Sequence, residues 1–264
     1  MLYDLATTRI VVETLQSYFK PGESKVTMPP LICDPVCVST SGHTLLHQNA
    51  IEFMIAQLFP MAALITPNKT EAEFLLAQKG ISQKIESLND MLIAVELLLL
   101  LLGSDAVLLK GGHVTATMQD VNMISEKSPD IQIVKYGLYE ENMEILLVGN
   151  QNNSKSELVI DILNQARGEK TLFVRPRINS LATHGTGCTL SSAIACEIAL
   201  GCTCMYDVKY SAFFQRAYNI MLVKEAVKKA TAYTHLGIEA AQPLGKGYGP
   251  LDHFHSISPL LIPR

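Results

Sequence analysis

Four turns constrain this chain most, because each closes a short apolar run and each is marked by glycine, proline or an acid. They are Asp34-Pro35-Val36, Pro67-Asn68, Lys110-Gly111-Gly112-His113 and Thr183-His184-Gly185-Thr186-Gly187-Cys188. Between them lie stretches with helical spacing of apolar residues. Strands alternating with helices predict an α/β fold, doubly wound around a mostly parallel sheet. In such a sheet the turns after the strands share one edge, where ligands bind.

The remaining pattern fills in this frame. Helices are expected over 4–19, 44–58, 69–78, 88–102, from 187 to a stop near Gly201, and within about 207–234. Strands are expected at 30–33, 61–66 and 105–110. Between 114 and 180, strand pieces are read at 131–136, 144–148 and 171–178, a helical pattern at 156–166, and a loop at 149–154. The leucine run ending at Leu102 is far shorter than the roughly 20 apolar residues of a spanning helix, so a buried helix is expected. The start Met1-Leu2-Tyr3-Asp4 has no signal-peptide pattern. Six cysteines in 264 residues then read as reduced thiols, and a cytoplasmic location follows.

Composition narrows the function classes. With 48% hydrophobic and 17% charged residues, the chain is too apolar for a disordered regulator. A net charge of -4 gives no global basic footprint for nucleic acid. No G-x-x-x-x-G-K-[ST] or G-x-S-x-G is present, which excludes a P-loop enzyme and argues against an α/β-hydrolase. Cysteine spacing does not support a zinc site.

Each turn carries a chemical reading beside a plainer one. Gly185 and Gly187 permit a tight turn whose amides, with the dipole of the helix behind, suit an anion such as phosphate. Cys188 at the helix start is placed for a reactive thiolate, or packs as a small buried residue. Asp34 can orient a metal-bound phosphate or cap its turn. Asn68 and Glu71, one helical turn apart, can share a hydrated Mg²⁺ or form a capping box. Lys110 with Gly111 and Gly112 can meet a nucleotide or make an ordinary turn. Taken together, anion hole, acids and lysine loop point to phosphoryl transfer.

These motifs, with Ser39-Thr40-Ser41-Gly42, Glu71-Ala72-Glu73 and Gly247-Tyr248-Gly249-Pro250-Leu251-Asp252-His253, resemble the hydroxymethylpyrimidine/phosphomethylpyrimidine kinase family, from Met1 to about His253. The resemblance implies a ribokinase-like three-layer α/β/α fold and ATP-dependent phosphorylation of hydroxymethylpyrimidine and its phosphate in thiamine biosynthesis. It implies ATP and Mg²⁺ as co-substrate and cofactor, small-molecule partners, and neither nucleic acid nor membrane.

By the same resemblance, Gly185, Thr186, Gly187 and Cys188 are catalytic, and Met1 and Val36 lie on the substrate side. Asp34, Lys110, Gly111 and Gly112 lie by ATP, with Asn68 and Glu71 at the metal. Two departures are expected: a family first strand and its substrate-binding turn absent before Met1, and a longer 114–180 region. The kinase domain is expected over 1–253 with a tail at 254–264. Pyridoxal kinase activity and a non-catalytic ligand-binding or regulatory role are the alternatives, and a homo-oligomer paired through an open sheet edge stays open.

Overall fold

The computed structural model describes residues 2–19, 28–39, 43–135, 157–166, 168–202, 212–242 and 245–255. Two compact units divide the chain, Met1–Val134 with Glu157–Val174, and Lys135–Ser156 with Arg175–Arg264.

The first unit opens with α1 (Leu5–Tyr18), whose Asp4 side chain accepts from the Thr7 N–H. Then come β1 (Ile32–Cys33), α2 (Gln48–Phe53), β2 (Leu64–Ile65), α3 (Lys69–Gln78), α4 (Leu88–Leu102), β3 (Ala106–Leu109), α5 (Met118–Lys127), β4 (Gln132–Lys135), β5 (Leu158–Gln165) and β6 (Lys170–Pro176). The six strands form one sheet in the order β1-β2-β3-β5-β6-β4. Its first three strands run parallel, with Ile32 opposite Leu64 and Ile65 opposite Val107. β5 joins antiparallel, pairing Ala106 with Gln165 and Leu109 with Ile162.

Local chemistry accounts for the helix starts. Capping boxes open α3 with Asn68 and Glu71, α4 with Ser87 and Asp90, and α5 with Thr117 and Asp120. Gly103, at φ 71°, ends α4 in the left-handed region that suits glycine. The leucine-rich α4 buries Leu88, Met91, Val95, Leu98 and Leu102, as a core helix should.

The structure corrects several expectations. Where a helical pattern is expected over 156–166, Leu158–Gln165 form a strand. The run Leu158-Val159-Ile160 and Ile162-Leu163 satisfies helical spacing, but both faces of this strand are buried, Leu158, Ile160 and Ile162 on one and Asp161 and Leu163 on the other. The helix expected over 44–58 starts only at Gln48, because Thr44 bridges Val38. Beyond Phe53 it continues as a π-helical turn at Met54–Leu58. α5 was not anticipated. The expected strand at 144–148 and the loop at 149–154 lie outside the described residues.

The second unit contains α6 (Thr186–Cys202) and α7 (Ala212–Ala240), packed against each other. Gly201 lies inside α6 rather than ending it, and α7 extends past 234. Leu190, Ile194 and Ile198 of α6 are buried, as are Val223, Val227 and Ala230 of α7. Residues before α6 are tied to the later motif: His184 N–H donates to Gly249, and Gly249 N–H donates to Leu181.

Candidate active site

Because β1, β2 and β3 run parallel, their carboxyl ends open at one edge of the first unit. Asp34 follows β1, Thr66 to Asn68 follow β2, and Lys110 follows β3. Lys110 N–H donates to the Pro67 carbonyl at 2.9 Å, and Asn68 bridges Lys110, so the second and third turns are joined by backbone.

Side chains complete the cluster. Lys110 Nζ lies 2.8 Å from Asp34 Oδ1 and 3.9 Å from Glu71 Oε2. Thr66 Oγ1 donates to the same Asp34 oxygen at 3.3 Å. The charged side chains are only 11% (Lys110), 15% (Asp34) and 4% (Glu71) exposed. Asn68 N–H donates to Glu71 Oε2 at 2.8 Å, and Glu71 N–H donates to Asn68 Oδ1 at 2.9 Å. The capping box is therefore the reading observed for this pair, and it places the Glu71 carboxylate near Lys110.

Burial pushes the Glu71 carboxyl up to about 7; Lys110 and the Asn68 N–H pull it back down, and Asp34 adds to the rise. The neighbouring thiols of Cys33 and Cys37 are pushed up to about 12, chiefly by burial, so both stay protonated. Val36 is half-buried, its N–H bonded to the Asp34 carbonyl.

The glycines of the lysine turn differ from each other. Gly111 is buried, its N–H donates to Asp161 Oδ1 at 2.8 Å, and a Cβ there would sit 1.8 Å from the Ile160 carbonyl oxygen. Gly112 is exposed with open space around it. Asp161 was missed in the sequence; a lone acid inside an apolar run was its only signal.

The second unit holds the glycine turn. Gly185 has φ 79°, Thr186 Oγ1 donates to the Thr183 carbonyl at 3.0 Å, and Thr189 N–H donates to Gly185 at 2.9 Å. The helical ladder thus begins at Thr189, and the amides before it lie outside that ladder. Cys188 is exposed and in no disulfide. Met1 lies outside the described residues. Asp34, Asn68, Glu71, Lys110, Gly111 and Gly112 are brought together at one edge, while Gly185 to Cys188 form a turn of their own unit.

The sequence matches the model of the phosphomethylpyrimidine kinase family over residues 1–136 and 118–219. The chain belongs to the phosphomethylpyrimidine kinase family. It is 32% identical to the thiamine biosynthesis bifunctional protein ThiED of Geobacter sulfurreducens, over 84% of this chain and 32% of that protein. It is 30% identical to the hydroxymethylpyrimidine/phosphomethylpyrimidine kinase of Rhizobium meliloti, over 85% of this chain and 60% of that one. The chain thus spans less than two thirds of these curated relatives. In structure it resembles the pyridoxal kinase of Bacillus subtilis in its ADP complex, with a TM-score of 0.61 and 21% identity over 97% of this chain and 68% of that one. The chain therefore shares the fold of that protein. No helix among the described residues is long and apolar enough to cross a membrane.

Proposed function

We propose that the chain transfers the γ-phosphoryl group of ATP to 4-amino-5-hydroxymethyl-2-methylpyrimidine and to its monophosphate, in the cytoplasm, with residues 1–253 acting as the kinase domain. The observation that carries this reading is the buried Lys110 ammonium held between Asp34 and Glu71 at the carboxyl ends of three parallel strands.

Phosphoryl transfer asks a protein mainly for positioning and charge neutralisation. Lys110 supplies a positive charge for ATP oxygens. The carboxylates of Asp34 and Glu71 are hard oxygen donors of the kind Mg²⁺ takes, with Asn68 fixing Glu71. Among the described residues no group of three or more His, Cys, Asp or Glu could hold a metal ion. When bound, Mg²⁺ neutralises phosphate charge.

In its own unit the glycine turn at Gly185, Thr186 and Gly187, ahead of a helix, is of the kind that binds a phosphate. On the hydroxymethyl substrate Cys188 serves as base for the hydroxyl proton or as positioning residue, whereas the monophosphate presents a phosphate oxygen that needs no such base. In both cases the new bond joins the acceptor oxygen to the γ-phosphorus as the bond to the ADP oxygen breaks. Val36 flanks the pyrimidine, and Met1 belongs to the same substrate side. An ADP-release assay with both pyrimidines and pyridoxal tests this. Turnover of the pyrimidines supports it; turnover of pyridoxal alone, or of none of the three, sinks it.

A further inference from the structure

We propose that Asp161 is a positioning residue, a buried clamp in β5 that fixes the Lys110–Gly112 turn and so sets how strongly this edge holds nucleotide. The inference rests on the kinase reading and adds a residue on a strand outside the cluster already described.

Asp161 is fully buried, between Ile160 and Ile162 in a strand that is otherwise apolar through Leu163. A carboxylate so placed is costly unless it is hydrogen-bonded. Its Oδ1 accepts the Gly111 N–H at 2.8 Å, a bond strengthened when the acceptor is charged. On the same strand the Ile160 carbonyl fills the space where a Cβ at residue 111 would stand. The turn closes on itself through Val114 N–H to the Gly111 carbonyl at 3.0 Å. It is then tied to β5 again, as Leu158 N–H donates to Ala116 at 2.8 Å.

Residues 110–116 are therefore stitched to β5 at two points, and Lys110 itself to Pro67. A lysine stem has four rotatable bonds, so the aim of its ammonium depends on where its backbone is held. The Asp161 bond fixes that backbone from β5 at the residue directly after Lys110.

The test uses the full chain with Asp161→Ala, Asp161→Asn and Asp161→Glu. Asparagine offers Gly111 the same acceptor and should keep nucleotide affinity within about threefold. Alanine leaves a buried donor unmatched, and the dissociation constant for ATP with Mg²⁺ should rise about tenfold. The KM for ATP should rise with it while that for the pyrimidine holds, and the Gly111 amide should exchange faster. Wild-type affinity in a folded Asp161→Ala protein overturns the clamp, as does equal loss in the Ala and Asn variants.

If Asp161→Ala does not fold, Asp161→Glu decides. A carboxylate displaced by one methylene weakens nucleotide binding about tenfold if the clamp is real and leaves it unchanged if not. If the wild-type chain binds no nucleotide, the kinase reading has failed, and the clamp is judged on Lys110 directly. Labelling by an amine-acylating ester, read by mass spectrometry, should then rise severalfold at Lys110 in the Glu variant; unchanged labelling overturns it.

Discussion

The charged edge of the first unit and the glycine turn of the second are built by opposite means. At the edge, residues far apart in sequence (Asp34, Thr66, Glu71 and Lys110) meet through strand order, and side chains hold one another in place. In the turn, contiguous residues 183–189 shape the backbone mainly through local hydrogen bonds, with Gly185 in the left-handed region and His184 anchored to Gly249. A site assembled by tertiary packing is disturbed by any change that moves a strand. A site made of backbone is disturbed chiefly where a conformation is required.

The largest test of that contrast is Gly111→Ala. Its Cβ would enter the Ile160 carbonyl, so we expect a loss of about 4 kcal/mol or more, with little folded protein in a urea titration. Gly112→Ala meets nothing within 4 Å and should unfold within about 0.5 kcal/mol of the parent. Equal effects would mean that the close approach to β5 does not hold the edge together.

Cys188→Ala comes next. If Cys188 is the proposed base at the hydroxymethyl group, the change should cost roughly 10²–10⁴-fold in kcat on that substrate, with the melting temperature little changed, since the residue is exposed. A variant at the parent's rate leaves the transfer to the backbone of the turn alone.

Lys110→Met follows, with a fall in kcat of about 10²–10³-fold, the scale of one lost electrostatic stabiliser. Unlike Cys188→Ala it should also destabilise the fold, because Asp34 and Glu71 lose their buried cation. Thermal unfolding of the two variants side by side separates a site carried by packing from one carried by backbone.

The smallest effect is a pH dependence that runs in opposite senses in the two units. His235 in α7 is buried, which, with Arg175, lowers its pKa from 6.5 to about 4. The fold thus holds it neutral, a contribution complete above pH 6.5 and lost as pH falls from there toward 4. Between pH 6.5 and about 5.5 this amounts to on the order of 1 kcal/mol. Glu71, raised from 4.5 to about 7, contributes most below 4.5 and loses that contribution as pH rises through 7. Melting temperatures of His235→Gln across this range should show a flatter acid limb than the parent; an unchanged limb removes His235 as its source.

The same contrast explains what could be read from sequence. α3 and α4 stand where their spacing placed them, because capping boxes and a glycine stop are local signals. α5 carries an equally local box at Thr117 and Asp120 but sits in a stretch without strong apolar periodicity, and it was overlooked. β5 was misread because its apolar pattern fits a helix as well as a strand, and only burial on both faces decides. The candidate residues of the edge were legible as turns sharing one edge of the sheet, without their side-chain partners. Their joining by Lys110 and Asp34, 76 residues apart, depended on strand order, and so did the part played by Asp161.

The approach of Ile160 to Gly111 also bears on what the gene can become. Every amino acid other than glycine carries a Cβ, so every missense change in codon 111 meets the same carbonyl oxygen. At the next codon, for Gly112, a Cβ meets no protein atom within 4 Å. Two adjacent glycines that look alike in the sequence therefore differ in what fixes them: packing against β5 bars any change at the first, and only what binds at this edge can bar one at the second.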